Sequence, residues 1–238
     1  NECIIIGATG NFHGRSLAAV SMSDDPDSKE GFGPFVPGIE LVPFNDFDAL
    51  KKIFELKGDR IAAFSVEPIQ GEAGVIVPDD DYWPKVSKLC KEHNIWLHVD
   101  AAYAGSALCL PEYEWVKEGI EHADSFVFNP HKWLFTNFDC SAYFVRDKKA
   151  LINTFEIMPE YLKTNVDDEV NNYCDWGIPL GRRFRALKLW FVLRNFGLEG
   201  IKEKLRNHMT LAKDFEEKVK ASEGFKIMAP VNFNLVCF

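Results

Sequence analysis

Two apolar runs that end in polar residues constrain the fold more than any other feature of this 238-residue chain. One run, Ile95–Val99, is followed at once by Asp100, and the other, Phe126–Phe128, stops just before Pro130. Proline cannot donate a hydrogen bond to a strand ladder, so we expect the second strand to end there. Open α/β sheets bind ligands at the carboxyl ends of their strands, which predicts that Lys132 lies at a binding edge.

Earlier runs extend the same pattern toward the amino terminus. Strand-like segments at Cys3–Ile6, Ile39–Val42 and Ile61–Val66 alternate with helical stretches at Asp46–Leu56 and Tyr82–His93. Near-continuous apolar strands separated by helices are typical of a mainly parallel sheet covered on both faces. The apolar run at residues 141–146 follows the lysine too closely for a crossover helix, so we expect it to pair antiparallel.

Residues beyond about 180 are predicted to begin a second, smaller unit. A helix is expected to end at Gly197, and another helix follows it. The apolar runs Phe225–Met228 and Phe233–Phe238 then read as opening strands of a small domain. We therefore predict a large domain over residues 1–180 and linking helices with part of a small domain over residues 181–238.

Composition narrows the functional classes. A net charge of −9 argues against nucleic acid or an anionic membrane as the main partner, and no apolar run approaches the ~20 residues of a membrane span. The six cysteines show no C-x-x-C spacing, which predicts reduced thiols in a cytoplasmic protein. An apolar run starts at Cys3, directly after Asn1 and Glu2, and another runs to Phe238, so a fragment or a recombined gene is expected.

Lys132 is the candidate nucleophile. It is followed by Trp133, Leu134 and Phe135, so partial desolvation is expected to disfavour its charged form and make the amine nucleophilic. The alternative is a surface lysine whose stem lies along apolar residues while its ammonium stays in water.

An acid at the end of the preceding strand gives this lysine a partner. Asp100 and Lys132 at neighbouring strand ends would face each other across one crevice, as a pyridoxal phosphate site requires. The lysine would hold the aldehyde as a Schiff base, and the aspartate would keep the pyridine nitrogen protonated. Ala101 and Ala102 leave room for a flat ring close to the backbone.

Four motifs resemble one family along roughly the last two-thirds of the chain. HVDAAYAGSA at His98–Ala107, FNPHKW at Phe128–Trp133, TNFDCSA at Thr136–Ala142 and IPLGRRFRALKLWFV at Ile178–Val192 are similar to group II pyridoxal-phosphate decarboxylases, above all the aromatic L-amino acid decarboxylases. The resemblance implies a fold-type I large domain, pyridoxal 5'-phosphate as cofactor, decarboxylation of an aromatic L-amino acid, and a homodimer.

The same resemblance implies roles for single residues. Lys132 matches the Schiff-base lysine, and Asp100 matches the partner of the pyridine nitrogen. Ala102 matches the small residue packed on the ring, while Asn129 and His131 match residues near the cofactor phosphate.

Tyr161 is the predicted acid of the reaction. It matches the family's loop tyrosine, which returns a proton to the substrate after carbon dioxide leaves, and the polar run Thr164–Asn172 beside it reads as a mobile loop. A loop tyrosine with no catalytic part, serving only as an anchor, is the alternative.

The amino-terminal third resembles a different family. GNFHGRS at Gly10–Ser16, GFGPFVPG at Gly31–Gly38 and VEPIQGEAGVIVP at Val66–Pro78 are similar to class III aminotransferases, above all ornithine aminotransferase. Both families share the fold-type I architecture, so the chain reads as a mosaic with a seam near residues 77–90.

This second resemblance implies further site residues. Phe12 matches the aromatic residue stacked on the pyridine ring, and Arg15 matches a residue that can bind the substrate carboxylate. Glu67 and Glu72 match carboxylates near the aminotransferase substrate site, although a buried structural acid is an equal alternative for each.

Three other functions stay open from the sequence. An aminotransferase is favoured by Phe12, Arg15 and Glu72, and a catalytically silent fragment or engineered mosaic is favoured by the chain ends. A metal site is the last alternative, because His98, Asp100 and His131 mimic two histidines and one carboxylate. A flat organic cofactor suits the neighbouring lysine and alanines better.

Overall fold

The computed structural model describes residues 3–156 and 171–238, and its strands form two three-stranded sheets. The strands are β1 (Ile4–Ala8), β2 (Ile39–Val42), β3 (Ile61–Ser65), β4 (His98–Asp100), β5 (Ser125–Phe128) and β6 (Ala142–Val145). The first sheet has the order β2-β1-β3 and is parallel throughout. The second has the order β4-β5-β6, in which β4 and β5 are parallel and β6 is antiparallel to β5. The predicted mainly parallel sheet and the antiparallel β6 are confirmed.

One backbone bridge joins the two sheets. Ala63 in β3 pairs in parallel with Trp96, which lies two residues before β4. The layer therefore runs β2-β1-β3-β4-β5-β6, and the carboxyl ends of β1 to β5 lie along the same edge. Ligands bind at this kind of edge in open α/β sheets.

The helices follow the sequence signals closely. They are α1 (Leu17–Met22), α2 (Pro26–Lys29), α3 (Phe47–Lys57), α4 (Tyr82–Glu92), α5 (Pro130–Trp133), α6 (Lys148–Phe155) and α7 (Arg185–Ala221). Asp46 caps α3 by accepting a hydrogen bond from the Ala49 N–H at 2.9 Å, which stabilises the helix start. Gly197 interrupts α7 with φ 65° and ψ 173°, a conformation that glycine adopts readily. None of the described helices is long and apolar enough to cross a membrane.

The first hydrophobic core lies between the β2-β1-β3 sheet and the helices α3 and α4. Ile6 and Leu50 are fully buried there, together with Phe54 and Val86. Burial on this scale contributes ~1.5–3 kcal/mol per large apolar side chain. This half of the chain is therefore held by its own strands and helices.

The second core lies behind the lysine helix. Trp133 of α5 packs in a cluster with Leu110 and with Ile201, Leu205 and Met209, which repeat along the second part of α7. The spacing of the α7 residues places them on one helix face, as the sequence predicts. Through this cluster α7 supports the segment that carries Lys132.

The two apolar runs at the carboxyl end do not form strands, so that prediction is wrong. Between the runs the structure shows the backbone hydrogen bond from Met228 to Cys237 at 2.9 Å, but no strand ladder among residues 222–238. Phe233 instead stacks on Tyr113, and Phe238 packs its edge on Phe215 of α7. The apolar side chains of these runs pack on helices and turns and not on a neighbouring strand. The domain boundary near residue 180 stays a prediction.

Candidate functional site

Lys132 lies where the sequence predicts, in a single-turn helix directly after β5. Pro130 starts α5, since its fixed φ suits the first helical position, and the Lys132 N–H donates to the Asn129 carbonyl at 2.9 Å. The lysine side chain is exposed, and its ammonium has no hydrogen bond or ion pair within residues 3–156 and 171–238.

The expected desolvation of Lys132 is therefore wrong. In a one-turn helix neighbouring residues point to different sides, so Trp133 is 3% exposed and enters the core while Lys132 faces solvent. The apolar residues that follow Lys132 in sequence do not surround its amine. The structure instead presents a free, accessible amine at the edge of the sheet.

Asp100 occupies the end of the adjacent strand. Its register partner across the β4–β5 pair is Val127, and the Ala101 N–H donates to the Val127 carbonyl at 2.9 Å. One carboxylate oxygen of Asp100 accepts from the Ala102 N–H at 2.9 Å. The second oxygen has no partner in the described part of the chain, so it can receive a proton or a hydrogen bond from a ligand.

Small residues bring the two strand ends together. The Asn129 N–H donates to the Ala102 carbonyl at 2.9 Å, which ties the turn after β5 to the turn after β4. Gly105 lies so close to β5 that an added Cβ would be 2.5 Å from the Cβ of Phe128. A free amine, a half-free carboxylate and small residues at one edge fit the pyridoxal phosphate site inferred from the sequence.

His98 belongs to a network that the sequence did not reveal. Ser125 is buried, its hydroxyl accepts from the Trp96 indole N–H at 2.7 Å, and it also forms a 2.7 Å hydrogen bond with Nδ1 of His98. Desolvation by the surrounding atoms lowers the pKa of His98, and the nearby charge of Asp100 opposes this shift. The neutral imidazole is favoured as a result. The only sequence signal was spacing, since His98 lies two residues before Asp100 and shares its strand face.

His131 is fixed by the backbone of Cys140. Nδ1 of His131 lies 2.9 Å from the Cys140 nitrogen and 2.7 Å from its oxygen, and the His131 N–H donates to that same carbonyl at 3.2 Å. These contacts leave Nε2 of His131 available to a ligand. Burial raises the pKa of the Cys140 thiol, which disfavours a thiolate there.

The amino-terminal candidates lie at the ends of β1 and β3. The Phe12 N–H donates to the Glu67 carboxylate at 3.0 Å, and the other oxygen of Glu67 accepts from the Gly71 N–H at 3.3 Å. Glu67 therefore holds two loops together, although it is partly exposed and not the buried acid of the structural alternative. Arg15 and Glu72 are exposed and form no hydrogen bond or ion pair among the described residues. Phe12 and Arg15 both follow the carboxyl end of β1, and their roles at the site stay predictions.

Two sequence predictions receive no support from the geometry. Tyr161 and most of the Thr164–Asn172 loop lie outside the described residues. The metal alternative gains no support, because residues 3–156 and 171–238 contain no group of three or more histidine, cysteine, aspartate or glutamate side chains able to hold an ion. His98 and His131 are instead committed through Nδ1 to Ser125 and Cys140.

Comparison with known proteins gives one family. The family described as "Pyridoxal-dependent decarboxylase conserved domain" matches residues 40–238. An aromatic-L-amino-acid decarboxylase of Drosophila melanogaster is 49% identical over 158 residues, which make up 66% of this chain and 31% of that protein. The chain thus spans about a third of the length of the curated relatives that it matches.

Solved structures give the same fold over almost the whole chain. The crystal structure of Oryza sativa TDC with PLP and tryptamine superposes with a TM-score of 0.80 and 31% identity, covering 98% of this chain and 47% of that one. Ornithine aminotransferase from Toxoplasma gondii superposes with a TM-score of 0.61 and 24% identity, covering 96% of this chain and 48% of that one. The second similarity is one of fold alone.

Proposed function

The chain belongs to the family of pyridoxal-dependent decarboxylases, and on that premise we propose that it removes the α-carboxyl group of an aromatic L-amino acid, using pyridoxal 5'-phosphate attached to Lys132. The observation that carries this proposal is that the free amine of Lys132 and the half-free carboxylate of Asp100 follow the carboxyl ends of neighbouring parallel strands, at one edge of the sheet. The aminotransferase alternative keeps the amino-terminal motifs with Phe12, Arg15 and Glu72 and a similarity of fold, whereas the decarboxylase family matches residues 40–238.

Lys132 is suited to cofactor attachment because its amine is accessible, and not because the amine is buried. Its side chain faces solvent, so the cofactor aldehyde can reach the nitrogen without displacing a salt-bridge partner within the described residues. When bound, the cofactor accepts the electron pair that the substrate α-carbon retains as carbon dioxide leaves.

Asp100 would keep the pyridine nitrogen of the cofactor protonated, as loss of carbon dioxide from the substrate requires. Its bond from the Ala102 N–H orients the carboxylate and leaves the other oxygen without a partner in the described chain, so that this oxygen would be available to the pyridine nitrogen. A carboxylate next to a protonated nitrogen favours the charged form of that nitrogen by about 1–3 pKa units. Desolvation lowers the pKa of His98, which favours its neutral form next to Asp100.

The remaining site residues bind or orient in this proposal. Ala102 and Phe12 would hold the cofactor ring by packing and stacking, and Asn129 and His131 would hold the phosphate. The free Nε2 of His131 supports a phosphate contact, because Nδ1 is already engaged. Phe12 is supported by its place at the end of β1, tied by Glu67 to the end of β3.

Two residues act on the substrate in this proposal. Arg15 binds the substrate carboxylate, for which its exposed guanidinium, without a partner in the described chain, is available. Tyr161 returns a proton to the α-carbon after carbon dioxide leaves. An amino acid substrate agrees with the decarboxylase relatives. We also propose that the substrate side chain is aromatic and that the protein forms a homodimer. A cytoplasmic location is proposed as well, because the six free cysteines favour a reducing compartment.

The test is chemical labelling of the attachment site. We expect pyridoxal phosphate to give an imine absorbance band with the wild-type chain, and borohydride reduction with peptide mapping to place the pyridoxyl group on Lys132. Lys132→Ala should give no band and keep its thermal midpoint, because the side chain is exposed. Labelling of Lys148 or Lys149 instead would overturn the assignment. No band in the wild type would favour the catalytically silent fragment.

A carbon dioxide assay then separates decarboxylation from other reactions of the same cofactor. The wild-type chain loaded with pyridoxal phosphate, without borohydride reduction, should release carbon dioxide from an aromatic L-amino acid, and the Lys132→Ala chain should not. Transfer of the amino group without carbon dioxide release would favour the aminotransferase.

A further inference from the structure

Trp133, the residue next to Lys132, is held from two directions. The ring of Tyr103 stacks on it with centroids 5.1 Å apart and an interplanar angle of 8°. At its edge, the indole Nε1 donates a hydrogen bond to Nδ1 of His208 on α7 at 3.2 Å. His208 lies 75 residues farther along the chain. This contact joins the lysine helix to the second part of α7.

The hydrogen bond has a fixed direction. An indole N–H can only donate, so Nδ1 of His208 must present a lone pair, and the ring carries its proton on Nε2. Trp133 is 3% exposed, so its N–H has lost access to bulk water and depends on this acceptor. A buried donor without a partner is strongly disfavoured.

His208 is itself held in place by its surroundings. Its neighbours Leu205 and Met209 are buried in the second core, and Phe135 packs its ring edge against the imidazole with centroids 5.5 Å apart. The acceptor therefore belongs to a packed helix. A fixed His208 therefore also fixes the Trp133 ring through the hydrogen bond.

The direction of the Lys132 side chain depends on the backbone of α5. The lysine has no side-chain partner within the described residues, so only the backbone orients it. The start of α5 is fixed by the Asn129–Ala102 bond and by the contacts of His131 with the Cys140 backbone. Its end is fixed by Trp133.

We propose that His208 is a positioning residue for Lys132, acting through its hydrogen bond to Trp133. The inference rests on the proposed attachment of pyridoxal phosphate to Lys132. The contacts of His208 that carry the inference are with Trp133 and Phe135, not with Lys132 itself. It holds the last residue of α5, so that the lysine amine points along the sheet edge toward the Asp100 side.

Three variants of the 238-residue chain isolate the hydrogen bond. His208→Leu removes the acceptor at similar volume, His208→Asn keeps an oxygen near the position of Nδ1, and Trp133→Phe removes the donor but keeps an aromatic ring. Thr210→Ala is the matched control, because Thr210 is exposed on α7 and hydrogen-bonds only to the Arg206 carbonyl of its own helix.

The first measurement is the strength of pyridoxal phosphate attachment. It is monitored by absorbance titration and by reductive labelling of Lys132. We expect His208→Leu to weaken attachment about tenfold, the ratio that corresponds to one hydrogen bond. His208→Asn should stay within about threefold of wild type, and Thr210→Ala should match it. In the Trp133→Phe background, His208→Leu should cause no further loss, since the bond is already gone.

The second measurement needs no cofactor. The indole N–H resonance of Trp133, assigned by its disappearance in Trp133→Phe, should shift upfield in His208→Leu and stay in place in His208→Asn. Thermal midpoints show whether each variant is folded. If His208→Leu does not fold, Trp133→Phe and His208→Asn still carry the test.

The outcomes separate the two hypotheses. If the wild type is labelled on Lys132 but Trp133→Phe and His208→Leu attach the cofactor as well as it does, the positioning role is wrong and the proposed function stands. If both weaken attachment but His208→Asn does not recover it, packing rather than the hydrogen bond is responsible and the inference is overturned. If the wild type is not labelled on Lys132, the proposed function fails and takes the inference with it, even if the indole resonance confirms the contact.

Discussion

The two three-stranded sheets differ sharply in how deeply they are buried. In the first, Ile4, Ile6 and Ala8 of β1 are buried, with α3 and α4 packed against the sheet. In the second, β4 exposes His98 and Asp100, and β6 exposes both of its central residues. Strands of similar apolar composition therefore have different environments within one layer.

The difference in burial shows which sheet contributes most to stability and which sheet carries accessible residues of the proposed site. Lys132 and Asp100, the residues of the proposed cofactor site, both belong to the less buried half. A group that binds a ligand must stay accessible, and regions that do so are drawn from the less stable part of a protein. The first sheet then supplies most of the stability, and the second carries the lysine and aspartate of the proposed site.

The largest expected effect is the loss of a ring from the first core. Phe54 is 1% exposed and packs its edge on His93 with centroids 5.0 Å apart. Phe54→Ala should lower the free energy of unfolding by ~3–5 kcal/mol, because a cavity remains where the ring was. The matched change Phe144→Ala on β6, where the ring is 57% exposed, should cost about 1 kcal/mol or less. Equal losses in urea unfolding would refute the contrast between the two sheets.

The next effect separates chemistry from stability in the second half. Asp100→Asn should keep the fold, since an amide oxygen can still accept from the Ala102 N–H. It should lower turnover by about 100-fold, because a neutral amide cannot favour the protonated pyridine nitrogen. Carbon dioxide release and the thermal midpoint should be measured together. Activity within a few-fold of wild type would show that the proton is held elsewhere.

A smaller effect concerns packing directly behind the site. Gly105→Ala places a methyl group 2.5 Å from the Cβ of Phe128, so the turn after β4 must move away from β5. We expect a loss of about 2 kcal/mol in the free energy of unfolding. Gly181→Ala is the control, because nothing lies within 4 Å of its added Cβ. If the two alanine variants unfold alike, the second half is loosely packed throughout and the close approach is unimportant.

The smallest expected effect is electrostatic. Arg206 on α7 donates two hydrogen bonds to Glu112, at 2.6 and 2.9 Å, and lowers the pKa of that carboxyl to about 2 from its ordinary 4.5. The folded pKa is the lower one, so the stabilisation is complete above about pH 4.5 and is lost as the pH falls toward about 2. The pair is exposed, so the effect is small and decreases with salt.

Carboxyl NMR titration measures this shift directly. The Glu112 midpoint should lie near 2 in the wild type and return toward 4.5 in Arg206→Met. Glu112→Gln should make the thermal midpoint less dependent on pH over the same acid range. An unchanged Glu112 midpoint in Arg206→Met would show that the contact between α7 and residues 111–117 does not form in solution.

Local elements could be predicted from the sequence because their causes are local. Asp46 starts α3, Pro130 ends β5 and starts α5, and Gly197 interrupts α7, each through its own backbone chemistry. The shared edge of Asp100 and Lys132 also followed, since parallel strands align their carboxyl ends. These features need only neighbouring residues and one topological rule.

The failures all involve partners distant in sequence. The exposure of Lys132 depends on which side of α5 faces α7, and the residues flanking it cannot reveal that. His208 meets Trp133 across 75 residues, and Tyr103 meets Asn234 across 131. The carboxyl-terminal runs were predicted as strands from their apolar character, yet a strand also needs a partner ladder. No local pattern contains that information.

The single bridge between Ala63 and Trp96 has a consequence for how the molecule comes apart. Within each sheet neighbouring strands share several residue pairs, but across this junction they share one. Cooperative unfolding requires strong coupling between parts, so each sheet with its helices is expected to open as a unit of its own. Amide hydrogen exchange should then divide into two groups, with the β1 amides exchanging more slowly than those of β4.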